Sequence, residues 1–379
     1  MLEADMTRAR DDDACPGALQ VHQAADGALA RMRLPGGMIT ADQLLALAVA
    51  ATRFGSPAME LTSRGNIQIR GITDPAALAD AMAAAGLLPS SSHERVRNIV
   101  ASPLTGRSGG NADVRDLVRD LDAAIQARPA LSRLPGRFWF GVDDGRGDVS
   151  GSGADVGAHL LSADRAALLV AGVDTGVRLP SVDVVATLVA VAENFVDVRG
   201  CAWRTTELAD IESLLTGLTR SAEPGATWPP VLRPPVGWID QDDRRVTLGA
   251  AMPLGVLEAR TAEYLAAIEA PLVITPWRSV LVCDLDEGVA DVALRVLAPL
   301  GLVFDADSPW LSVSACTGSP GCEHAIADVR TDAAAAVANP DSVPAGTHRH
   351  FVGCERACGS PLLGQVLVAT EDGYRPRHP

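Results

Sequence analysis

Apolar positions in the first part of the chain alternate between a period of two and a helical period, which predicts a β-α-β-β-α unit. In the first strand the alternation places Arg31 and Arg33 on one face. Thr40, with Gln43 three residues later, forms a capping-box pattern that opens the first helix. The predicted elements are a strand at Ala28–Leu34, a helix from Thr40, strands at Ala58–Thr62 and Asn66–Ile72, and a helix from Asp74-Pro75 to Gly86.

The same order of elements returns near residue 245, which predicts an internal duplication. Leu34-Pro-Gly-Gly37 aligns with Met252-Pro-Leu-Gly255, and the apolar pattern at Ile67 and Ile69 returns further along. A chance similarity of two α+β stretches is the alternative. The second set of predicted elements is a strand at Val246–Ala251, a helix at Leu257–Ile268, strands at Leu272–Thr275 and Ser279–Cys283, and a helix at Asp286–Leu300.

The rest of the chain divides at shifts in composition. Five prolines between residues 223 and 235 are typical of a linker. The other predicted elements are strands at Arg137–Val142, Ala166–Ala171, Leu311–Ser314, His350–Val352 and Gln365–Ala369, and helices at Ser181–Phe195 and Glu323–Ala338. We therefore expect a disordered acidic lead at 1–17, a first repeat at 18–90, an α/β domain at 91–222, a linker at 223–236, a second repeat at 237–301, and a cysteine-bearing α/β domain at 302–379.

All 32 basic side chains are arginine, and the chain contains no lysine. A Walker A phosphate loop and a lysine Schiff base are therefore excluded. The net charge of −15 argues against a protein whose whole surface binds nucleic acid or membranes. The sequence has no apolar run of transmembrane length and its acidic start is unlike a signal peptide, so we expect a cytoplasmic protein.

Four of the seven cysteines lie close together near the end of the chain. Cys316 and Cys322 form a C-x5-C pair, and Cys354 and Cys358 form a C-x3-C pair. Thiolates from two short loops can bind the four irons of one cubane, and a helix that begins after Cys322 would present its N-terminus to an anionic cluster. Structural zinc is the alternative, although it usually uses shorter cysteine spacings.

These cysteine loops, together with Arg33-Leu-Pro-Gly-Gly37 and Thr62-Ser-Arg-Gly-Asn-Ile-Gln-Ile-Arg-Gly71, resemble the motifs of the nitrite/sulfite reductase superfamily. The resemblance covers nearly the whole chain. It implies an α+β fold in which duplicated ferredoxin-like half-domains are joined by two α/β domains. It also implies a tetrapyrrole that lies beside a [4Fe–4S] cluster.

Within that superfamily, the short length and the opening Ala14-Cys-Pro-Gly-Ala-Leu19 most resemble the precorrin-3B synthase family of aerobic cobalamin biosynthesis. That resemblance implies a monooxygenase that converts precorrin-3A to precorrin-3B with dioxygen, adding a hydroxyl and a γ-lactone to the macrocycle. Electrons would come from reduced nicotinamide. Because Gly151–Gly157 departs from the dinucleotide fingerprint and no clear helix follows it, we expect a separate NADH-linked reductase or ferredoxin to deliver them.

Arginine suits a substrate that carries acetate and propionate groups, because its planar fork pairs bidentately with carboxylate. The resemblance places Arg33, Arg64, Arg97 and Arg137 at tetrapyrrole carboxylates, and the strand pattern makes three further residues their neighbours. A solvated surface ion pair is the alternative for any single arginine. The full predicted tetrapyrrole-binding set is Arg31, Arg33, Arg64, Asn66, Arg70, Arg97 and Arg137.

Two other functions stay open. In a siroheme-dependent sulfite or nitrite reductase, a cysteine at the position of Cys358 would bridge cluster and haem. Such enzymes use lysines beside the haem as proton donors, whereas here the stretch is Arg137-Phe-Trp139 and arginine is a poor donor. A tetrapyrrole or Fe–S carrier without turnover is the third hypothesis.

The sequence assigns no catalytic residue for dioxygen activation. Four cysteine ligands leave no open position on a cubane, so oxygen would react at an additional iron or at the substrate. His348 and His350 lie on one face of a predicted strand and could bind a metal. A strand histidine with its hydrogen bonds satisfied is the favoured interpretation.

Overall fold

The computed structural model describes residues 13–339 and 347–377, and within them the chain forms three five-stranded sheets and one four-stranded sheet. The mixed α+β architecture predicted from the sequence is confirmed. None of the helices in these two stretches is long and apolar enough to span a membrane.

The first half-domain follows the predicted element order. Thr40 Oγ1 accepts from Gln43 N at 3.2 Å and the Gln43 side chain bonds back to Thr40 N at 3.1 Å, so the capping box is present. Asp74 caps the second helix by accepting from Ala77 N at 3.0 Å. The elements are β1 (His22–Ala24), β2 (Gly27–Met32), β3 (Met38–Ile39), α1 (Ala41–Phe54), β4 (Ala58–Leu61), β5 (Ile67–Ile72) and α2 (Pro75–Ala84).

The middle α/β domain is built on a mixed sheet in the order β10-β9-β8-β7-β6. Strands β6, β7 and β8 run parallel, and the other pairs are antiparallel. Its elements are β6 (Ile99–Ala101), α3 (Arg115–Gln126), β7 (Phe140–Asp143), β8 (Val156–Ser162), β9 (Arg165–Val170), β10 (Val173–Pro180) and α4 (Val184–Val198).

The second half-domain has the same order of elements as the first. Pro35–Gly37 and Pro253–Gly255 both form 3-10 turns, and both turns have a left-handed residue at the second position, Gly36 with φ 64° and Leu254 with φ 56°. The elements are β11 (Gly237–Asp240), β12 (Val246–Ala251), β13 (Val256–Glu258), α5 (Ala259–Ala266), β14 (Leu272–Ile274), β15 (Ser279–Leu285) and α6 (Glu287–Leu297).

Each half-domain completes the sheet of the other. Strand β13 pairs with β4, where Val256 lies opposite Glu60, and β3 pairs with β14, where Ile39 lies opposite Leu272. The turn before β3 requires glycine, because a Cβ at Gly37 would lie 1.9 Å from the carbonyl oxygen of Ile274. Apolar side chains of both halves form one continuous core. The repeats are therefore joined through exchanged edge strands.

The C-terminal domain has a sheet in the order β16-β17-β18-β19. The sequence prediction that its helix begins at Glu323 is wrong, because Asp328 is the N-cap. The residues before Asp328 make hydrogen bonds that are not helical. Ala325 N donates to Cys322 O and Ile326 N donates to Gly353 O, each at 3.1 Å. The elements are β16 (Val313–Ala315), α7 (Val329–Ala338), β17 (Arg349–Val352), β18 (Gln365–Thr370) and β19 (Gly373–Pro376).

The predicted disordered lead requires a correction at its end. Residues 1–12 lie outside the described chain, but Asp13 is buried. Its carboxylate accepts from Arg95 Nη2 and from the backbone N–H of Arg137, both at 2.7 Å. A buried carboxylate with these partners fixes the local backbone, so residues 13–17 belong to the fold.

Candidate functional site

A cavity of about 680 Å³ lies between the first half-domain and the two cysteine loops. Strands β2, β4 and β5 contribute Arg31, Glu60 and Gln68 to its wall, and Cys316 and Cys358 lie on the opposite side. A neighbouring cavity of about 340 Å³ shares several of these wall residues and extends the space towards Trp139, Trp277 and Trp310. The shared residues include Arg64, Arg204 and Arg278.

The larger cavity is strongly cationic. Two of its arginines are paired, Arg204 with Asp155 and Arg330 with Glu60, and the other five make no ion pair with a carboxylate in the described part of the chain. Glu60 is the one acidic residue among the described residues that line it. The lining arginines are Arg31, Arg64, Arg137, Arg204, Arg278, Arg330 and Arg356.

Arg64 and Arg137, which are predicted from the sequence to bind carboxylates, both line the cavity and pair with no carboxylate among the described residues. Arg64 Nη1 lies 3.5 Å from the Gly136 carbonyl oxygen. Burial, with the nearby positive charge of Arg204, lowers the pKa of Arg64 to about 10. The Arg137 guanidinium lies 5.0 Å from the centre of the Trp203 ring. An anionic ligand would relieve the unfavourable burial of the Arg64 charge, whereas Arg137 is exposed.

Arg31 and Arg33 converge on Cys15, which lines the cavity. Arg31 Nη1 lies 3.2 Å and Arg33 Nη2 3.5 Å from Cys15 Sγ. Arg33 is 2% exposed, donates to the Pro16 carbonyl oxygen at 3.1 Å, and has a buried Nη1 without a hydrogen-bond partner. Burial lowers the pKa of Arg33 to about 10. Arg33 thus lies behind Cys15, whereas Arg31 reaches the cavity itself.

Asn66 is part of the cavity wall, but its amide is already engaged. Its Oδ1 accepts from Leu34 N at 2.9 Å and its Nδ2 donates to Asn98 Oδ1 at 3.2 Å. The side chain is 2% exposed. Asn66 therefore fixes the segment that follows β2 against the start of β5, next to Arg33 and Arg64.

The structure does not bring Arg97 to this cavity. Arg97 donates to both oxygens of Asp122 at 2.6 and 2.8 Å and borders a different cavity of about 940 Å³. Arg70 also lies away from the cationic wall: it pairs with Asp26 and donates to the Gly321 carbonyl oxygen at 2.7 Å. Both guanidiniums are held by protein carboxylates, so the tetrapyrrole contacts predicted for them are corrected to structural contacts.

The two cysteine loops lie side by side because they follow adjacent parallel strands. Cys316 comes directly after β16, and Cys354 comes two residues after β17. The Gly353 N–H lies 3.4 Å from Cys316 Sγ. Burial raises the pKa of the Cys358 thiol, and so do the nearby thiols of the other three cysteines.

The donor set of the two loops bears on which metal the four cysteines could hold. A structural zinc usually takes cysteines at shorter spacings than C-x5-C. In a cubane each of four thiolates binds a different iron, and two adjacent loops with two cysteines each can supply these ligands. The four thiolates therefore fit the ligand requirement of a cubane.

His348 and His350 both point at Ser314 and form a hydrogen-bonded chain. Ser314 Oγ lies 2.7 Å from His348 Nε2 and 2.8 Å from His350 Nδ1, and His350 Nε2 lies 3.0 Å from the Cys358 carbonyl oxygen. Because a carbonyl only accepts, His350 donates through Nε2. Burial lowers its pKa to about 4, so the ring is neutral. These contacts match the satisfied strand histidine favoured from the sequence.

Several site residues were missing from the sequence prediction: Glu60, Arg204, Arg278, Arg330 and Arg356. The duplication contained a signal for one of them. The turn between β4 and β5 carries Arg64, and the equivalent turn between β14 and β15 carries Arg278. Arg356 lies within the second cysteine pair, whereas no local pattern distinguishes Arg204 or Arg330.

Comparisons with known proteins agree with this architecture. The family described as Nitrite/Sulfite reductase ferredoxin-like half domain matches residues 22–85. The structure of the Mycobacterium tuberculosis NirA protein superposes with a TM-score of 0.75 at 19% identity and covers 91% of this chain and 72% of NirA. The predicted fold class, as in nitrite/sulfite reductases, is therefore confirmed.

Curated relatives separate the two closest hypotheses. The chain is 27% identical to a precorrin-3B synthase of a Sinorhizobium species, in an alignment that covers 95% of this chain and 81% of the relative. It is 35% identical to the ferredoxin–nitrite reductase of Synechococcus elongatus, but over only 31% of this chain and 25% of that enzyme. The resemblance stated from the motifs is thus confirmed, and the alignment with precorrin-3B synthase extends along nearly the whole chain, unlike that with the ferredoxin–nitrite reductase.

Proposed function

We propose that this homologue of precorrin-3B synthase is an iron–sulfur monooxygenase that converts precorrin-3A to precorrin-3B. One oxygen atom of dioxygen would enter the macrocycle as a hydroxyl, with formation of a γ-lactone, and the other would leave as water. The reaction consumes two electrons and two protons, which a separate NADH-linked reductase or ferredoxin and the solvent would supply. The cationic cavity beside the cysteine loops is the observation that carries this proposal.

The cavity suits a substrate with several carboxylates. Five of the arginines that line it pair with no carboxylate among the described residues, and each charge-assisted bond to a substrate carboxylate contributes roughly 1.5–3 kcal/mol. At physiological salt the remote acidic residues are screened over about 8 Å, so the net charge of −15 does not oppose binding locally. The arginines of β2 and of the β4–β5 turn would hold and orient the macrocycle.

The four cysteines fit a [4Fe–4S] cluster. Cys316 and Cys322 would supply two ligands from one loop, and Cys354 and Cys358 two from the other. A Cβ at Gly318, with φ 71°, would lie 2.8 Å from a side-chain atom of Val329, so the first loop needs glycine to curve at this point. When bound, such a cluster supplies electrons one at a time. Cys358 lines the substrate cavity, which would place this electron source next to the macrocycle.

A siroheme-dependent sulfite or nitrite reductase is the second candidate, favoured by the position of Cys358 at the cavity. Arg137 and Trp139 line the two adjoining cavities where those enzymes use lysines. Arginine stays protonated at physiological pH and cannot pass protons to a bound substrate. A reduction that consumes many protons is therefore the less suitable reaction for this cavity.

The decisive experiment uses protein purified without oxygen. We would record its absorbance spectrum and iron and sulfide content, and then measure oxygen uptake and product formation with precorrin-3A and an electron donor. Oxygen-dependent conversion of precorrin-3A is the expected result. A stoichiometric siroheme band with sulfite or nitrite reduction would refute the proposal, and tight binding of precorrin-3A without product would indicate a carrier.

A further inference from the structure

The first cysteine loop is attached to the substrate-binding half-domain by two sets of polar contacts. One is Arg70, which joins Asp26 to the loop at the Gly321 carbonyl oxygen. The other is Arg330 of α7, whose Nη2 pairs with Glu60 of β4 and whose Nε lies 3.4 Å from the Cys316 carbonyl oxygen. Only the second set lines the cationic cavity.

Glu60 is also connected in the opposite direction, to an arginine that faces the substrate. Its Oε2 accepts from Gln68 Nε2. The Gln68 Oε1 in turn accepts from Arg31 Nε at 3.2 Å and from Arg31 Nη2 at 2.8 Å. A continuous hydrogen-bonded chain therefore runs from Arg31 through Gln68, Glu60 and Arg330 to the backbone of Cys316.

This hydrogen-bonded chain is sensitive to changes at either end because its central member, Glu60, is a buried charge. Glu60 is 6% exposed and is the one carboxylate among the described residues that line the cavity. A buried carboxylate that loses a donor is costly, so its remaining partners must readjust. Its partners are Gln68 on one side and Arg330 on the other.

We propose that the chain Arg31–Gln68–Glu60–Arg330 couples substrate binding to the electronic environment of the first cysteine loop. A substrate carboxylate that binds Arg31 competes with the Gln68 carbonyl oxygen for the same guanidinium. Gln68 then changes its contact with Glu60, and the position of the Arg330 charge beside Cys316 changes with it. Glu60, Gln68 and Arg330 are positioning residues in this proposal, which rests on the proposed function because it requires an anionic tetrapyrrole and a cluster at these cysteines.

Thermodynamic linkage makes the coupling measurable. If substrate binding changes the reduction potential of the cluster, reduction must change the substrate affinity by the same factor. Coupling factors between protein sites are typically about 5- to 150-fold. A tenfold factor corresponds to a shift of about 59 mV for a one-electron centre.

The experiment compares precorrin-3A affinity of the cluster-loaded protein in its oxidised and dithionite-reduced states, under anaerobic conditions. We expect a ratio of about tenfold for the unmodified protein. Glu60→Gln and Gln68→Leu should each change this ratio at least fivefold, and their double variant no more than either alone. Gln68→Leu is decisive, because Gln68 bonds to Arg31 and Glu60 and a purely structural role in holding the cysteine loop would leave the ratio unchanged.

Arg70→Gln is the matched control, because it loosens the same cysteine loop without breaking the hydrogen-bonded chain from Arg31 to Arg330. We expect it to change the ratio less than twofold. A ratio that Gln68→Leu leaves within twofold of the unmodified value overturns the coupling alone. If the unmodified protein binds no precorrin-3A, the proposed function fails and the coupling fails with it. If Glu60→Gln loses its iron, the Gln68→Leu result decides.

Discussion

Replacing Arg64 with methionine should stabilise the fold and weaken substrate binding at the same time. Arg64 carries a positive charge that no carboxylate in the described chain pairs with, next to the further positive charge of Arg204. Its contact with the Gly136 carbonyl oxygen is long, at 3.5 Å. The unliganded protein therefore tolerates this charge at a cost that a bound anion would remove.

The size of the cost follows from the lowered pKa. At pH 7 the side chain is charged in both the folded and the unfolded states, and a pKa lowered from the ordinary arginine value to about 10 means that folding disfavours the charged form. At 1.36 kcal/mol per pH unit the penalty is on the order of 3 kcal/mol. Because Arg64 is partly exposed, solvent screening reduces this to about 1–2 kcal/mol. The loss of one charge-assisted bond should weaken substrate binding roughly 10- to 100-fold.

Two measurements test the trade-off. Urea unfolding followed by circular dichroism should show the variant to be more stable, and anaerobic absorbance titration with precorrin-3A should show weaker binding at unchanged iron content. Arg97→Met is the control. It removes an arginine that pairs with Asp122 outside the cavity. The free energy of unfolding should therefore fall, and the affinity for precorrin-3A should stay the same. An Arg64→Met protein that is less stable and binds precorrin-3A normally would refute the reasoning.

Three further outcomes are expected. Cys322→Ser should lose cluster iron, measured by iron and sulfide content, and full retention of iron would contradict its role as a ligand. Asp148→Asn should become more stable relative to the unmodified protein as the pH rises, because burial raises the pKa of Asp148 to about 7. Between its unfolded value of 3.8 and pH 7 the unfolded carboxyl ionises while the native carboxyl keeps its proton, so the unmodified protein loses stability over this range and the asparagine variant does not. Equal stability differences in urea unfolding at pH 5 and pH 8 would exclude this effect. Burial opposes ionisation of Cys15, but the adjacent guanidiniums lower its pKa. Cys15 should therefore react with iodoacetamide at pH 7 faster than the exposed Cys201. Bound precorrin-3A should protect Cys15 from this reaction, as measured by mass spectrometry. Equal labelling with and without precorrin-3A would argue against the place of Cys15 in the cavity wall.

The elements of the half-domains could be predicted from sequence because local signals agree with the tertiary structure there. The capping box at Thr40 and the N-terminal proline of α2 both mark helix starts that the structure contains. Helix α3 could also have been predicted from a local signal, because its buried residues Val118, Leu121 and Ile125 follow the helical period. The start of α7 could not, because the backbone N–H of Ile326 bonds to the distant Gly353 carbonyl oxygen and not to a helical partner.

The candidate site was only partly predictable for a related reason. Motif residues such as Arg64 and Cys316 were found because their neighbours in sequence are also their neighbours in the site. Glu60 lies on β4 of the first half-domain and Arg330 on α7 of the C-terminal domain, and nothing near either of them in sequence indicates the other. Arg97 differs for the opposite reason. It was expected at the tetrapyrrole, but its guanidinium pairs with Asp122, which lies on a helix that was not predicted.

The absence of lysine bears on which reaction this cavity can support. Its arginines keep their charge across the physiological range, so they can hold a polycarboxylate at constant affinity but cannot serve as proton donors. Protons must then come from solvent or from the few titratable groups in the wall, of which Glu60 is already shared between Gln68 and Arg330. Oxygenation consumes two protons for each turnover, and reduction of nitrite or sulfite consumes several times more. A wall of arginine therefore favours the oxygenation, and in the proposed coupling Glu60 transmits the presence of substrate towards the cysteine loop through these two partners.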